Sequence, residues 1–83
     1  MMQDEDLKLY TAVGRVLRKA RLKRDLKFTI FCYENDISKS TLNNIENASK
    51  QTYFSKIAKI ISSLDMSFEE FGKLLDDELK NKH

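Results

Sequence analysis

Proline is absent from this 83-residue chain and glycine occurs only at Gly14 and Gly72. β-Sandwiches and barrels need many turn residues, so the scarcity excludes them and points to helices joined by short polar turns, an all-α fold. A single cysteine, Cys32, rules out an internal disulfide; set in an apolar run, it reads as a small buried hydrophobe in a reducing compartment. The only histidine is His83, no Cys-His cluster has metal-ligand spacing, and no glycine-rich loop is present to cradle a phosphate. Asp76-Asp77-Glu78 reads as an acidic helix face, not an acid-base pair in a pocket. Neither an enzyme nor a cofactor is expected. No apolar stretch approaches the ~20 residues of a membrane span. The start, Met-Met-Gln-Asp-Glu-Asp, has no apolar signal core, so a cytoplasmic location is expected.

Charged residues make up 34% and hydrophobic ones 41%, a balance that suits a globular domain and not a disordered chain. The length fits one domain over residues 1–83, with an acidic tail at 1–6 and a polar tail at 80–83. Net charge is only +2, but it is unevenly spread. Arg15, Arg18, Lys19, Arg21, Lys23, Arg24 and Lys27 are opposed locally by Asp25 alone, whereas both chain ends are acidic. This segregation fits either a polyanion-facing surface or a merely solvated basic helix face.

Apolar spacing predicts five helices. The first covers Leu7 to Arg24, with Val13, Val16, Leu17 and Ala20 on one side. The second covers Phe28 to Asn35; by propensity Phe-Thr-Ile-Phe-Cys-Tyr suits a strand, but a lone strand has no partner for its backbone. After a turn at Asp36-Ile37, the third runs from Lys39 to Asn47 with Ser38 as N-cap. The fourth spans Tyr53 to Leu64. The fifth opens on the capping-box sequence Ser67-Phe68-Glu69-Glu70 and extends through Phe71, Leu74, Leu75 and Leu79.

The third helix is the most informative. Its apolar residues fall at Leu42 and Ile45, while the other face carries Lys39, Ser40, Asn43 and Asn44. A solvated helix face more often pairs Glu with Lys at i, i+4. Short hydroxyl and amide side chains are instead suited to hydrogen-bonding base edges. A short helix, a tight turn at Asp36-Ile37-Ser38 and this second short helix make a helix-turn-helix.

From Val13 to Phe71 the chain resembles the lambda-repressor-like (Cro-type, XRE) family of helix-turn-helix DNA-binding domains. Ile37-Ser38-x-Ser40-Thr41-Leu42-x-x-Ile45-Glu46-Asn47 looks like its recognition helix with the terminal glutamate, and Arg21 stands where family members carry the arginine that pairs with that glutamate. Phe54, Ile57, Ile60, Leu64, Met66, Ser67, Phe68 and Phe71 resemble the segment that follows. Lys27 and Phe28 stand where the family has a Ser or Thr cap and a phosphate-binding glutamine, Phe31-Cys32 where it has Leu-Ala, Asp36 for the turn glycine, Ala48 for the glycine after the glutamate, and Thr52 for a proline.

The resemblance implies a sequence-specific regulator, typically a repressor, whose third helix enters the major groove of a pseudo-palindromic operator, with two recognition helices of a homodimer about 34 Å apart. Lys39, Ser40, Asn43 and Asn44 are the expected base readers, lysine reaching guanine and asparagine bonding bidentately to adenine. Phosphate contacts are expected from Lys27, Thr29, Asn47, Ser49, Lys50 and Gln51, with Asn47 equally readable as a helix C-cap. Arg21 and Glu46 form an expected structural ion pair. Phe68, Phe71, Leu75 and Leu79 make an apolar stripe suited to a dimer interface, or to closing the core against Leu7, Leu9 and Tyr10. Phe28, Ile30 and Tyr33 offer a second apolar face. That face supports an alternative in which a helix-turn-helix has become a protein-binding module, such as an antitoxin, adaptor or anti-repressor, with little DNA binding.

Overall fold

Phe28, Phe31 and Cys32 recur at helical spacing, and burial of Phe31 and Cys32 against the rest of the chain turns the strand-like second segment into a helix. The computed structural model describes residues 3–81, so His83 and the outermost residues of both ends lie outside the described residues. Helix α1 is Asp4–Lys23, α2 Phe28–Glu34, α3 Lys39–Glu46, α4 Phe54–Ser63 and α5 Phe68–Lys80. No strand occurs among the described residues, so the architecture is all-α, with a long last helix.

Both expected tails are shorter than the sequence suggested. Asp4, Glu5 and Asp6 form the first turn of α1, where carboxylates meet the positive end of the helix dipole. Lys80 sits in the last turn of α5, at the negative end. Ser67 caps α5 by accepting from the Glu70 amide at 3.0 Å. The reciprocal half of the capping box is not formed; the Glu70 carboxylate lies 3.8 Å from Arg24.

Four helices end in the same way. After α1, α2, α3 and α4 the chain turns through a left-handed residue: Asp25 (φ 60°), Asp36 (φ 54°), Ala48 (φ 51°) and Asp65 (φ 60°). At each end two amides bond back in the Schellman pattern, as when Ile37 N donates to Cys32 O (2.9 Å) and Met66 N to Ile61 O (3.1 Å). In three of the four the residue after the turn, Leu26, Ile37 or Met66, packs into the core. Asp36 and Ala48 thus adopt the conformation for which glycine is favoured.

The core is centred on Leu17, Phe31, Leu42, Ile60, Ile61 and Leu64, all fully buried. Helix α1 packs against both α3 and α5. Its approach to α3 is close enough to require Gly14, because a Cβ there would lie 2.4 Å from the Ile45 carbonyl oxygen and 2.7 Å from that of Glu46. Gly72, on α5, faces open space.

The seam between α1 and α5 corrects the acidic-face expectation. Asp76 and Asp77 are exposed, but Glu78 is buried, with Lys19 Nζ at 2.9 Å and Arg15 Nη1 at 3.6 Å. A carboxylate carried inward by helix packing stays charged at low cost only when cations cover it, and α1 supplies two. Arg24, from the same basic run, is half-buried and donates to the Ala20 carbonyl.

Candidate nucleic-acid interface

The turn preceding α3 is held from two sides. Ser38 Oγ accepts from the Thr41 amide at 3.0 Å, capping the helix, and its hydroxyl donates to Thr41 Oγ1 at 2.7 Å. From α4, Lys59 Nζ donates to the Asp36 carbonyl oxygen at 2.9 Å. With Leu42 and Ile45 buried, the residues left outside are Lys39, Ser40 and Asn43, with Asn44 half-buried beside them. The four expected base readers therefore share one side of α3.

The expected phosphate ligands flank that helix. Lys27 and Thr29 are exposed at the start of α2, and Ser49, Lys50 and Gln51 are exposed between α3 and α4. Asn47 is the C-cap residue of α3, and its side-chain amide bonds back to Asn43. The Ser49 hydroxyl donates to Asn44 Oδ1 at 2.9 Å.

Behind the helix, Arg21 and Glu46 meet as a buried bidentate pair. Arg21 Nε lies 2.7 Å from Glu46 Oε2 and Nη2 lies 3.1 Å from Oε1. The remaining Nη1 donates to the Leu26 carbonyl at 2.7 Å, so the guanidinium joins α1 to both α3 and the α1–α2 turn. Its face is covered by Phe28, whose ring centroid is 5.5 Å from Arg21 Cζ. Phe28 is thus partly absorbed by the structure, leaving Ile30 and Tyr33 as the exposed apolar residues of α2. Cys32 is packed nearby; burial, and secondarily the Glu46 charge, push its thiol pKa above the ordinary value.

The basic run is divided by the fold. Arg15 and Lys19 serve Glu78, Arg21 serves Glu46, and Arg24 leans toward Glu70, while Arg18 and Lys23 are exposed. The apolar stripe of α5 is divided as well. Phe71 belongs to the core and Leu75 packs partly against it, whereas Phe68 and Leu79 are 58% and 48% exposed. Phe54, 63% exposed on α4, stacks on Phe68 with centroids 6.1 Å apart. Leu9, Phe54 and Leu75 line a shallow apolar groove of about 180 Å³ beside this pair.

Sequence reasoning missed Gly14, Lys59, Glu78 and the outward position of Phe54. Only Gly14 carried a signal, as one of two glycines in a chain of helices. Among the described residues no group of three or more His, Cys, Asp or Glu is placed to hold a metal, and no helix is long and apolar enough to cross a membrane.

Solved structures share this arrangement. The restriction-modification controller protein C.Esp1396I, as a tetramer in complex with its natural 35 base-pair operator, superposes with a TM-score of 0.81 at 22% identity, covering 88% of this chain and 96% of that one. The wild-type form of the same controller protein gives the same score, identity and coverage. Likeness at this identity establishes the fold. No protein-family model and no curated protein matches the chain.

Proposed function

We propose that the chain is a sequence-specific DNA-binding transcriptional regulator, a repressor in type, acting in the cytoplasm by placing α3 in the major groove. The observation that carries this reading is the construction of α3. An exposed polar face of lysine, serine and asparagine is held rigidly from behind by a buried Arg21–Glu46 pair and a backbone contact at Gly14. Such rigidity is what base readout needs, since a site displaced by about 1 Å loses its hydrogen-bond geometry. The operator complex of the similarly folded controller protein supports the reading. The lambda-repressor-like resemblance supports it too, with Lys27, Thr29, Asn47, Ser49, Lys50 and Gln51 contacting phosphates.

Fluorescence anisotropy on a DNA selected from a random pool tests it. Log affinity should fall steeply and linearly with log salt, by ~0.9 per phosphate neutralised. The Asn43→Ala, Asn44→Ala double variant should lose roughly 10- to 1000-fold in affinity for the selected sequence while keeping that salt slope. Unchanged specific affinity in the double variant would overturn the assignment of these base readers.

We further propose a homodimer on a pseudo-palindromic site, closed by Phe68 and Leu79 with Phe54, since exposed aromatic and aliphatic side chains of this size mark interaction surfaces. A second reading, a protein-binding module using α2, is favoured by Ile30 and Tyr33, which are 53% and 88% exposed. It requires DNA affinity that is weak and indifferent to sequence.

A further inference from the structure

Among the expected phosphate ligands, Asn47 and Ser49 spend their donors elsewhere. A phosphate oxygen only accepts, so a neutral group reaches it through an N–H or an O–H. Every such hydrogen of Asn47 is directed at Asn43. The Asn47 main-chain amide donates to the Asn43 carbonyl at 3.0 Å, and its side-chain NH2 donates to that carbonyl at 3.0 Å and to Asn43 Oδ1 at 2.8 Å. Ser49 treats Asn44 alike: its amide donates to the Asn44 carbonyl at 3.0 Å and its hydroxyl to Asn44 Oδ1 at 2.9 Å. The side chains of Lys27, Thr29, Lys50 and Gln51, by contrast, make no hydrogen bond or ion pair among the described residues, so their donors are free.

The residues that receive these bonds are the two asparagines of the base-reading face. To reach a phosphate, the Asn47 amide would have to release both Asn43 oxygens together, and the Ser49 hydroxyl would have to release Asn44 Oδ1. Left in place, the two residues orient the Asn43 and Asn44 amides before DNA arrives. Each accepting side-chain oxygen keeps a second lone pair and each reader keeps its own NH2, so both amides can still bond to a base edge. Ordering a side chain on binding costs free energy, and prior ordering removes part of that cost for the sequence whose base edges match. Resting on the reading that α3 enters the major groove, we infer that Asn47 and Ser49 are positioning residues for Asn43 and Asn44, in place of the phosphate contacts that the resemblance implies. The phosphate set then narrows to Lys27, Thr29, Lys50 and Gln51.

Fluorescence anisotropy with the full-length protein tests the inference, on a duplex that the wild type selects from a random pool and on a scrambled duplex of equal length. The readout is the ratio of the two affinities. Loss of a phosphate contact weakens both duplexes alike and leaves the ratio where it was, whereas loss of base positioning lowers it. Asn47 and Ser49 are exposed, and circular dichroism confirms that each variant is folded before titration. Asn47→Ala and Ser49→Ala should each lower the ratio about 3- to 10-fold, the effect of a net hydrogen bond, and Ser49→Thr, which keeps the hydroxyl, should hold the wild-type ratio. In an Asn43→Ala background Asn47→Ala should lower the ratio no further, and in an Asn44→Ala background neither should Ser49→Ala. A ratio that either single alanine variant leaves unchanged overturns the inference and leaves the DNA-binding reading intact. So does a full additional loss in a background that lacks the reader. A pool from which the wild type enriches nothing overturns the DNA-binding reading, and the inference with it.

Discussion

Single side chains set the stance of α3, and two glycines illustrate opposite reasons for the same residue. Gly14 is required by space: Gly14→Ala puts a methyl against the Ile45 and Glu46 backbone, which has no flexible end to yield. The variant should be destabilised by roughly 1–3 kcal/mol or more in urea unfolding, the range for overpacking. Gly72 meets nothing within 4 Å and lies inside α5, so Gly72→Ala should stabilise by about 1 kcal/mol in the same assay. Equal effects at the two sites would refute this contrast. Glu46→Ala leaves the Arg21 guanidinium buried without its carboxylate, for an expected loss of about 3–5 kcal/mol; a loss under 1 kcal/mol would mean that water reaches the arginine. Phe28 helps to explain why this charge is tolerated, because its ring lies over the guanidinium and the cation–π attraction replaces part of the hydration that burial removes.

At the scale of elements, the helix ends depart most from expectation. Turns that commonly use glycine use aspartate three times and alanine once, each at positive φ. Asp65 is exposed and has no side-chain hydrogen bond among the described residues, so Asp65→Gly should raise stability by about 0.5–1 kcal/mol, read as a higher urea midpoint with unchanged slope. A lower midpoint would mean that the left-handed turn is not strained. The helices themselves were legible in apolar spacing, with ends within one residue for α2 to α4, because each buries one stripe on a common core. The fifth helix was legible through its serine cap. The side of α3 that faces outward was legible for the same reason as its core side. What spacing could not supply was pairing across the chain: Glu78 looks like its acidic neighbours until α5 is laid on α1, and the Gly14 contact exists only once α3 is docked. At Phe71 and Leu75 helical periodicity left dimer and core readings of the stripe both open, and packing assigns these two residues to the core.

For the whole molecule, the surface that remains after folding bears on assembly. Phe54 and Phe68 stack on each other while both stay more than half exposed, and Leu79 extends the apolar surface along α5. A Phe68→Lys, Leu79→Lys variant should be monomeric by analytical ultracentrifugation at concentrations where the parent sediments as a dimer, with operator affinity at least tenfold lower from lost two-site binding. A dimer that survives both charges places the interface elsewhere. The buried Glu78 also has a consequence in time. It meets Lys19 across 59 residues of chain, and α1 needs α5 as well as α3 to cover its apolar side. At ~5–20 residues per second of synthesis, roughly 3–12 s separate the emergence of the two residues from the ribosome. During that interval α1 exists without its last partner, and Arg15 and Lys19 without the carboxylate that they cover.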